Sequence, residues 1–144
     1  MTSPGEYAPS PEVWVRDEVA HYERTGTGLK GRPVIVLSTR GARTGLLRKT
    51  PLMRVERRGS YCAVASMAGG HHHPAWYANA LADPAVTLQD GHVVHPLLVR
   101  ELTGAERSRW WSIACAVFPS YADYASKAGR QIPVLLLEPV LLEP

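Results

Sequence analysis

Four cations and two glycines share residues 38–51, STRGARTGLLRKTP, the segment best equipped to hold an anion. Arg43 and Arg48 offer planar forks matched to phosphate or carboxylate oxygens, and Lys49 a compact point charge. No acidic residue occurs between Glu23 and Glu56, yet eight of the 16 Lys and Arg fall there. In a hairpin turn, backbone N–H groups would add to such a cradle. The GxxxxGK[ST] spacing of a P-loop is missing, and a solvated basic hairpin is the competing reading.

A second group is ASMAGGHHHPAWYANAL, residues 65–81. Ser66 and the small residues Ala68, Gly69 and Gly70 would let a flat ligand approach the backbone closely. A helix opening near Pro74 would present free N–H groups to an anion. Trp76 and Tyr77 could line a ring pocket, with Trp76 equally suited to a core. His71, His72 and His73 suggest a metal, but consecutive side chains rarely converge on one ion and no Cys or carboxylate cluster lies nearby. No metal is expected. The third group is FPSYADYASK, where Tyr121 and Tyr124 fall on one helical face beside Ser120. Their phenols could hydrogen-bond a substrate oxygen, or pack with Phe118 in a core.

Elements that would position these groups follow from pattern. Residues 1–11 read as loose, with Ser10 and Pro11 opening a helix whose Val15, Val19 and Tyr22 share a face. That helix packs on the core, or acts as a lid or membrane-surface element. Strands are expected over residues 33–39, 46–59 and 60–67 as antiparallel neighbours, with Pro51 hinting at an edge. A short helix over 74–84 precedes a hairpin turning at Asp90-Gly91. A helix over 103–117 carries the capping-box spacing Thr103 to Glu106. A further helical piece follows Pro119, and 132–139 reads as the last strand. Strands without regular βαβ alternation favour an antiparallel sheet or barrel with flanking helices.

Composition bounds the rest. With 144 residues, 45% of them hydrophobic and 20% charged, the chain can bury one substantial core. A net charge of +3 is too mild to argue for nucleic acid, and the basic hairpin lacks interleaved aromatics for base stacking. Cys62 and Cys115 form no CxxC pair, so neither a zinc site nor a disulfide framework is expected. No apolar run reaches spanning length and no secretory leader is evident, so the expected location is cytoplasmic, with membrane association through the first helix left open.

TRGARTGLLRKTPL, ASMAGGHHHPAWYANALADP, FPSYADY and IPVLLLEP, in that order, resemble the deazaflavin-dependent nitroreductases of actinobacteria, oxidoreductases that use coenzyme F420. The resemblance runs from about Pro33 to Pro139. It implies a mainly β (α+β) fold, an antiparallel split β-barrel of the flavin-reductase type with six to seven strands, over 33–144 after a flexible N-terminus and helix over 1–32. It places the cofactor's charged tail on Ala42, Arg43, Thr44, Arg48, Lys49 and Thr50. Its ring falls on Val64, Ala65, Ser66 and Met67, with further contacts from Ala75, Trp76, Tyr77, Ala78 and Asn79. Ser66, Tyr121 and Tyr124 carry the catalytic role; Met53, Phe118 and Tyr121 line the substrate side. Met67 stands where relatives often have Lys, and Met53 and Phe118 where they have pocket tyrosines, implying a more apolar pocket.

The implied activity is hydride transfer from reduced F420 to a quinone, an enone or a nitroaromatic. FMN on the same barrel, or a non-catalytic deazaflavin carrier, are the alternatives. The expected partner is a small-molecule acceptor, with the chain a monomer or homodimer.

Overall fold

The run VIVLSTR forms β1 (Val34–Arg40), buried along almost its whole length because helices cover both of its faces. Strand alternation divides its side chains. Ile35 and Leu37 join Ala63, Val86, Leu88, Leu97, Leu135 and Leu137 in the main core, beneath Trp76 and Ala80 of α2 (Ala75–Ala82). Val34 and Val36 face the other way, onto Val15, Val19 and Tyr22 of α1 (Val13–Thr25). The computed structural model describes residues 6–140. Expectations for residues 1–5, the start of the loose N-terminus, and for the last four residues lie outside them.

Seven antiparallel strands make one sheet: β1, β2 (Leu47–Met53), β3 (Glu56–Arg57), β4 (Ser60–Val64), β5 (Ala85–Asp90), β6 (Val93–Glu101) and β7 (Val134–Pro139). Their order is β2-β1-β5-β6-β7-β4-β3. The sheet curls until β2 meets β4 without sharing a hydrogen bond, giving the expected half-barrel. Behind β4 and β7, α3 (Gly104–Val117) and α4 (Ser120–Ala128) close a second core around Trp110, Ala114 and Tyr121.

One expectation about pairing is corrected. The segments over 33–39, 46–59 and 60–67 are not three successive neighbours, because β4 pairs with β3 and β7 and not with β2. Arg54 leaves the strand to meet Asp90 at 3.0 Å, and Val55 turns into the core, which breaks the second segment in two. The apolar run VLLL of β7 then takes the buried place beside β4. Pro51, lacking an N–H, sits in β2 at the sheet edge, where no further ladder is lost.

Caps also differ. Helix α1 begins at Val13 with Glu12 at its cap, and the Ser10 hydroxyl accepts the Glu12 N–H at 3.1 Å instead of capping the first turn. Thr103 makes no side-chain cap bond, and the Glu106 carboxylate, which a capping box would turn back to the Thr103 N–H, is held by Arg100 through two bonds of 2.7 Å. In the β5–β6 hairpin the two loop residues are Gly91 and His92, since Asp90 still pairs with Val93.

Candidate functional site

The curl of the sheet leaves a cavity of about 710 Å³ between β2, the start of α2 and the α3–α4 corner. That is within the range of small-molecule and cofactor sites. Arg48, Lys49, Thr50 and Met53 line it from β2; Ala75, Trp76 and Asn79 from α2. Val64, Ser66, Met67 and Ala68 lie between them, with Phe118, Tyr121 and Tyr124 at the corner. Residues far apart in sequence are therefore gathered around one space.

The remaining expected residues fall outside the cavity lining. Ala42, Arg43 and Thr44 occupy the β1–β2 turn, which is tied to α2 by the Ala42 N–H donating to Asn79 Oδ1 at 3.0 Å. A Cβ on Gly41 would approach Thr44 Oγ1 to 2.9 Å and the Leu46 carbonyl to 3.3 Å, so a side chain there would have to displace the Thr44 hydroxyl. Arg43 is exposed and forms no salt bridge among the described residues. Ala65 is fully buried, and Ala78 is exposed. Tyr77 donates its phenol to Glu101 and sets its ring 4.8 Å from His73; burial first, then that carboxylate, pushes its phenol up to about 12.

Backbone shape is unusual in the loop after β4, the one expected to meet the cofactor ring. Met67 and Ala68 take positive φ of 48° and 51°, followed by Gly69 at 83°. Side chains other than glycine disfavour this region, and such conformations concentrate at functional sites. Ser66 is right-handed (φ −78°), so Ser66 and Met67 form the right–left pair that turns successive N–H groups toward one side. Met67 is 53% exposed, presenting backbone and an apolar flank to the cavity.

The two cations on β2 are engaged. Lys49 ion-pairs with Glu23 of α1 and stands 4.7 Å over the Tyr7 ring. Arg48 Nη1 donates to the carbonyls of Ala8 at 3.1 Å and Pro9 at 3.3 Å. The N-terminal segment thus crosses the cavity mouth, where Ser10, Glu12 and Trp14 also line it. Tyr121, also in the lining, is 5% exposed. Burial, then the neighbouring Cys62, Tyr124 and Cys115, pushes its phenol well above the ordinary value, so it stays protonated near neutral pH. Its ring lies edge-on to Phe118 at 5.0 Å.

Sequence reasoning passed over three residues at this site. Arg32 lines the mouth and reaches the buried Glu18 at 3.7 Å. Trp14 lies off the Val15–Val19–Tyr22 face, a readable sign of an aromatic with another task. Arg130 hydrogen-bonds the ring loop through backbone carbonyls, for which sequence offers no signal. Of the histidine run, His71 meets the Ala128 carbonyl at 2.9 Å and His73 meets Arg130. Among the described residues no group of three or more His, Cys, Asp or Glu could hold a metal.

A deazaflavin fits these features on the structure's own terms. Left-handed backbone at Met67 and Ala68 in the lining suits close approach of a flat ring system, Arg48 and Lys49 suit an anionic tail, and the buried Tyr121 phenol is a spare donor.

Residues 14–139 match the family model described as F420H(2)-dependent quinone reductase. A putative F420H(2)-dependent quinone reductase of Mycobacterium tuberculosis is 29% identical over 117 residues, 81% of this chain and 98% of its own. A second F420H(2)-dependent quinone reductase of that organism is 30% identical over 118 residues, 79% of each. Among solved structures, an F420-H2 dependent reductase superposes with a TM-score of 0.70 at 47% identity, covering 74% of this chain and 95% of that one. Another, described as a domain-swapped dimer, gives 0.72 at 43% identity over 90% of this chain and 100% of its own. A heme storage protein of Vibrio cholerae shares the fold alone, with a TM-score of 0.57 at 11% identity.

Proposed function

Because this chain belongs to the F420H(2)-dependent quinone reductase family, we propose that it reduces a quinone with reduced F420 in the 710 Å³ cavity. The observation that carries this reading is one space joining a cationic mouth, a left-handed backbone loop and a buried phenol. When bound, the reduced deazaflavin supplies a hydride. Arg48 and Lys49, with Arg43 on the adjoining turn, hold its anionic tail. Backbone of Ser66, Met67 and Ala68 supports its ring from one side, and Trp76 borders the slot. Tyr121 donates its protonated phenol to the acceptor oxygen on which charge gathers. Ser66 supplies a second donor there. A quinone taking up a hydride also needs a proton to become a quinol, and the half-buried Tyr124 phenol links the acceptor to solvent.

Family membership favours F420 over FMN and an enzyme over a carrier. Enones and nitroaromatics offer the same donors an oxygen and remain secondary acceptors. Val13 and Trp14, 57% and 56% exposed, support a lipid contact by α1 beside the mouth, where a lipid-soluble quinone would enter. No helix among the described residues is long and apolar enough to cross a membrane. Vesicle co-sedimentation, lost in Trp14→Ser, is the expected outcome; equal sedimentation of both forms would remove the lipid contact. A solved neighbour 43% identical is described as a domain-swapped dimer, which supports a homodimer over a monomer here, and sedimentation distinguishes the two.

Fluorescence titration with F420 and with FMN tests the site itself. F420 should bind more tightly, and its affinity should fall more steeply with salt, since its tail carries more charge. Arg48→Ala and Lys49→Ala should each weaken F420 about tenfold, in keeping with the loss of one charge-assisted contact. Equal binding of F420 by both variants and the unmutated chain would remove these cations from the site.

A further inference from the structure

Arg130 follows Gly129, whose left-handed φ of 67° ends α4, and turns its guanidinium back under the ring loop. Its Nε donates to the Gly70 carbonyl at 3.0 Å, and its Nη2 to those of Ala65 at 3.2 Å and Ser66 at 3.0 Å. Its Nη1 lies 2.9 Å from His73 Nδ1, which must accept, because arginine has no acceptor. All four partners belong to residues 65–73, the stretch that carries the left-handed Met67 and Ala68. Two further contacts fasten the same loop to α4. His71 Nδ1 meets the Ala128 carbonyl at 2.9 Å. A Cβ added to Gly69 would lie 3.1 Å from Lys127 Cδ and 3.3 Å from the Tyr124 Cα, so that glycine permits a close seat on the helix. The helix, in turn, carries Tyr121 and Tyr124.

We propose that Arg130 is the positioning residue of this site, bolting the ring loop to α4 so that loop backbone and acceptor-facing phenols keep one fixed separation. It touches neither ring nor acceptor in this arrangement, acting through the loop it holds. A planar fork reaching four acceptors on one loop is a task that a lysine ammonium cannot reproduce. The proposal rests on reading the cavity as the deazaflavin and quinone site. It also gives the histidine run a place in the fold, with His71 and His73 as parts of the bolt.

Arg130→Ala and Arg130→Lys test it in two arms. In the cofactor-free protein, amide hydrogen exchange at Gly69 and Gly70 should quicken at least about tenfold in Arg130→Ala, while amides of β5 and β6 keep their rates. With reduced F420 and menadione, kcat should fall about 100-fold with a smaller change in KM, because misplacing reactants by about 1 Å has that effect. Arg130→Lys should fall between. Should Arg130→Ala not fold, Arg130→Lys is judged by the same two readings. A folded variant with unmutated loop exchange and unmutated kcat would overturn the proposal, as would faster exchange shared equally by β5 and β6 with kcat intact. If the unmutated chain fails to bind F420, the functional reading falls, and the exchange arm alone decides the bolt.

Discussion

Burial holds the Tyr121 phenol protonated above its ordinary range, and among the described residues its O–H forms no hydrogen bond within the chain. A spare donor at the cavity wall is suited to a substrate oxygen, and it makes a clean substitution. Tyr121→Phe removes no internal partner, so stability should change little. Quinone turnover (kcat/KM) should fall by about 10- to 100-fold, the usual cost of one donor to a developing negative charge. F420 affinity should stay unchanged, since the substitution leaves Arg48 and Lys49, the cations of the cavity lining, in place. Steady-state kinetics alongside a binding titration checks both halves. Met53 and Phe118 carry no such donor, and both pack against the core around Tyr121.

At the scale of elements, the N-terminal segment and α1 engage the cations of β2. Glu23 pairs with Lys49, and Arg48 donates to Ala8 and Pro9. Glu23→Gln should free Lys49 and tighten F420 about two- to fivefold at low salt, with the gain lost near about 0.5 M salt, where screening is strong. Unchanged affinity would show that Lys49 does not meet the tail. The strand β1, the β5–β6 hairpin and the helices were legible because local period and turn chemistry specify them. The partnership of β4 with β7 was not, because it joins segments about 70 residues apart through apolar burial, which no local pattern records. The basic turn, the ring loop and the tyrosine pair could be read as separate candidates, and the fold gathers most of their side chains around one cavity. Arg130 stayed hidden for another reason: it is recognised by backbone carbonyls, which every segment possesses.

Across the whole molecule, two cores meet on the curled sheet, one under α2 and one under α3 and α4, with α1 on the outer face. Cys62 lies in the second core, where burial pushes its thiol from 9.0 up to about 12. The folded value lies above the unfolded one, so between pH 9 and 12 the unfolded chain releases a proton that the native chain keeps. Stability is fully present below pH 9 and should fall above it, by up to about 1.4 kcal/mol per pH unit from this group alone. Urea melts at rising pH should show that slope, and Cys62→Ala should flatten it. Trp76 of the first core and Tyr121 of the second both line the cavity in which quinone reduction is proposed. Anaerobic mixing of the full chain with reduced F420 and menadione, followed through the return of the oxidised deazaflavin's absorbance, tests that reaction. We predict oxidation that saturates with quinone and drops in Tyr121→Phe while F420 stays bound. Bound reduced F420 that no quinone oxidises above the protein-free rate would contradict it.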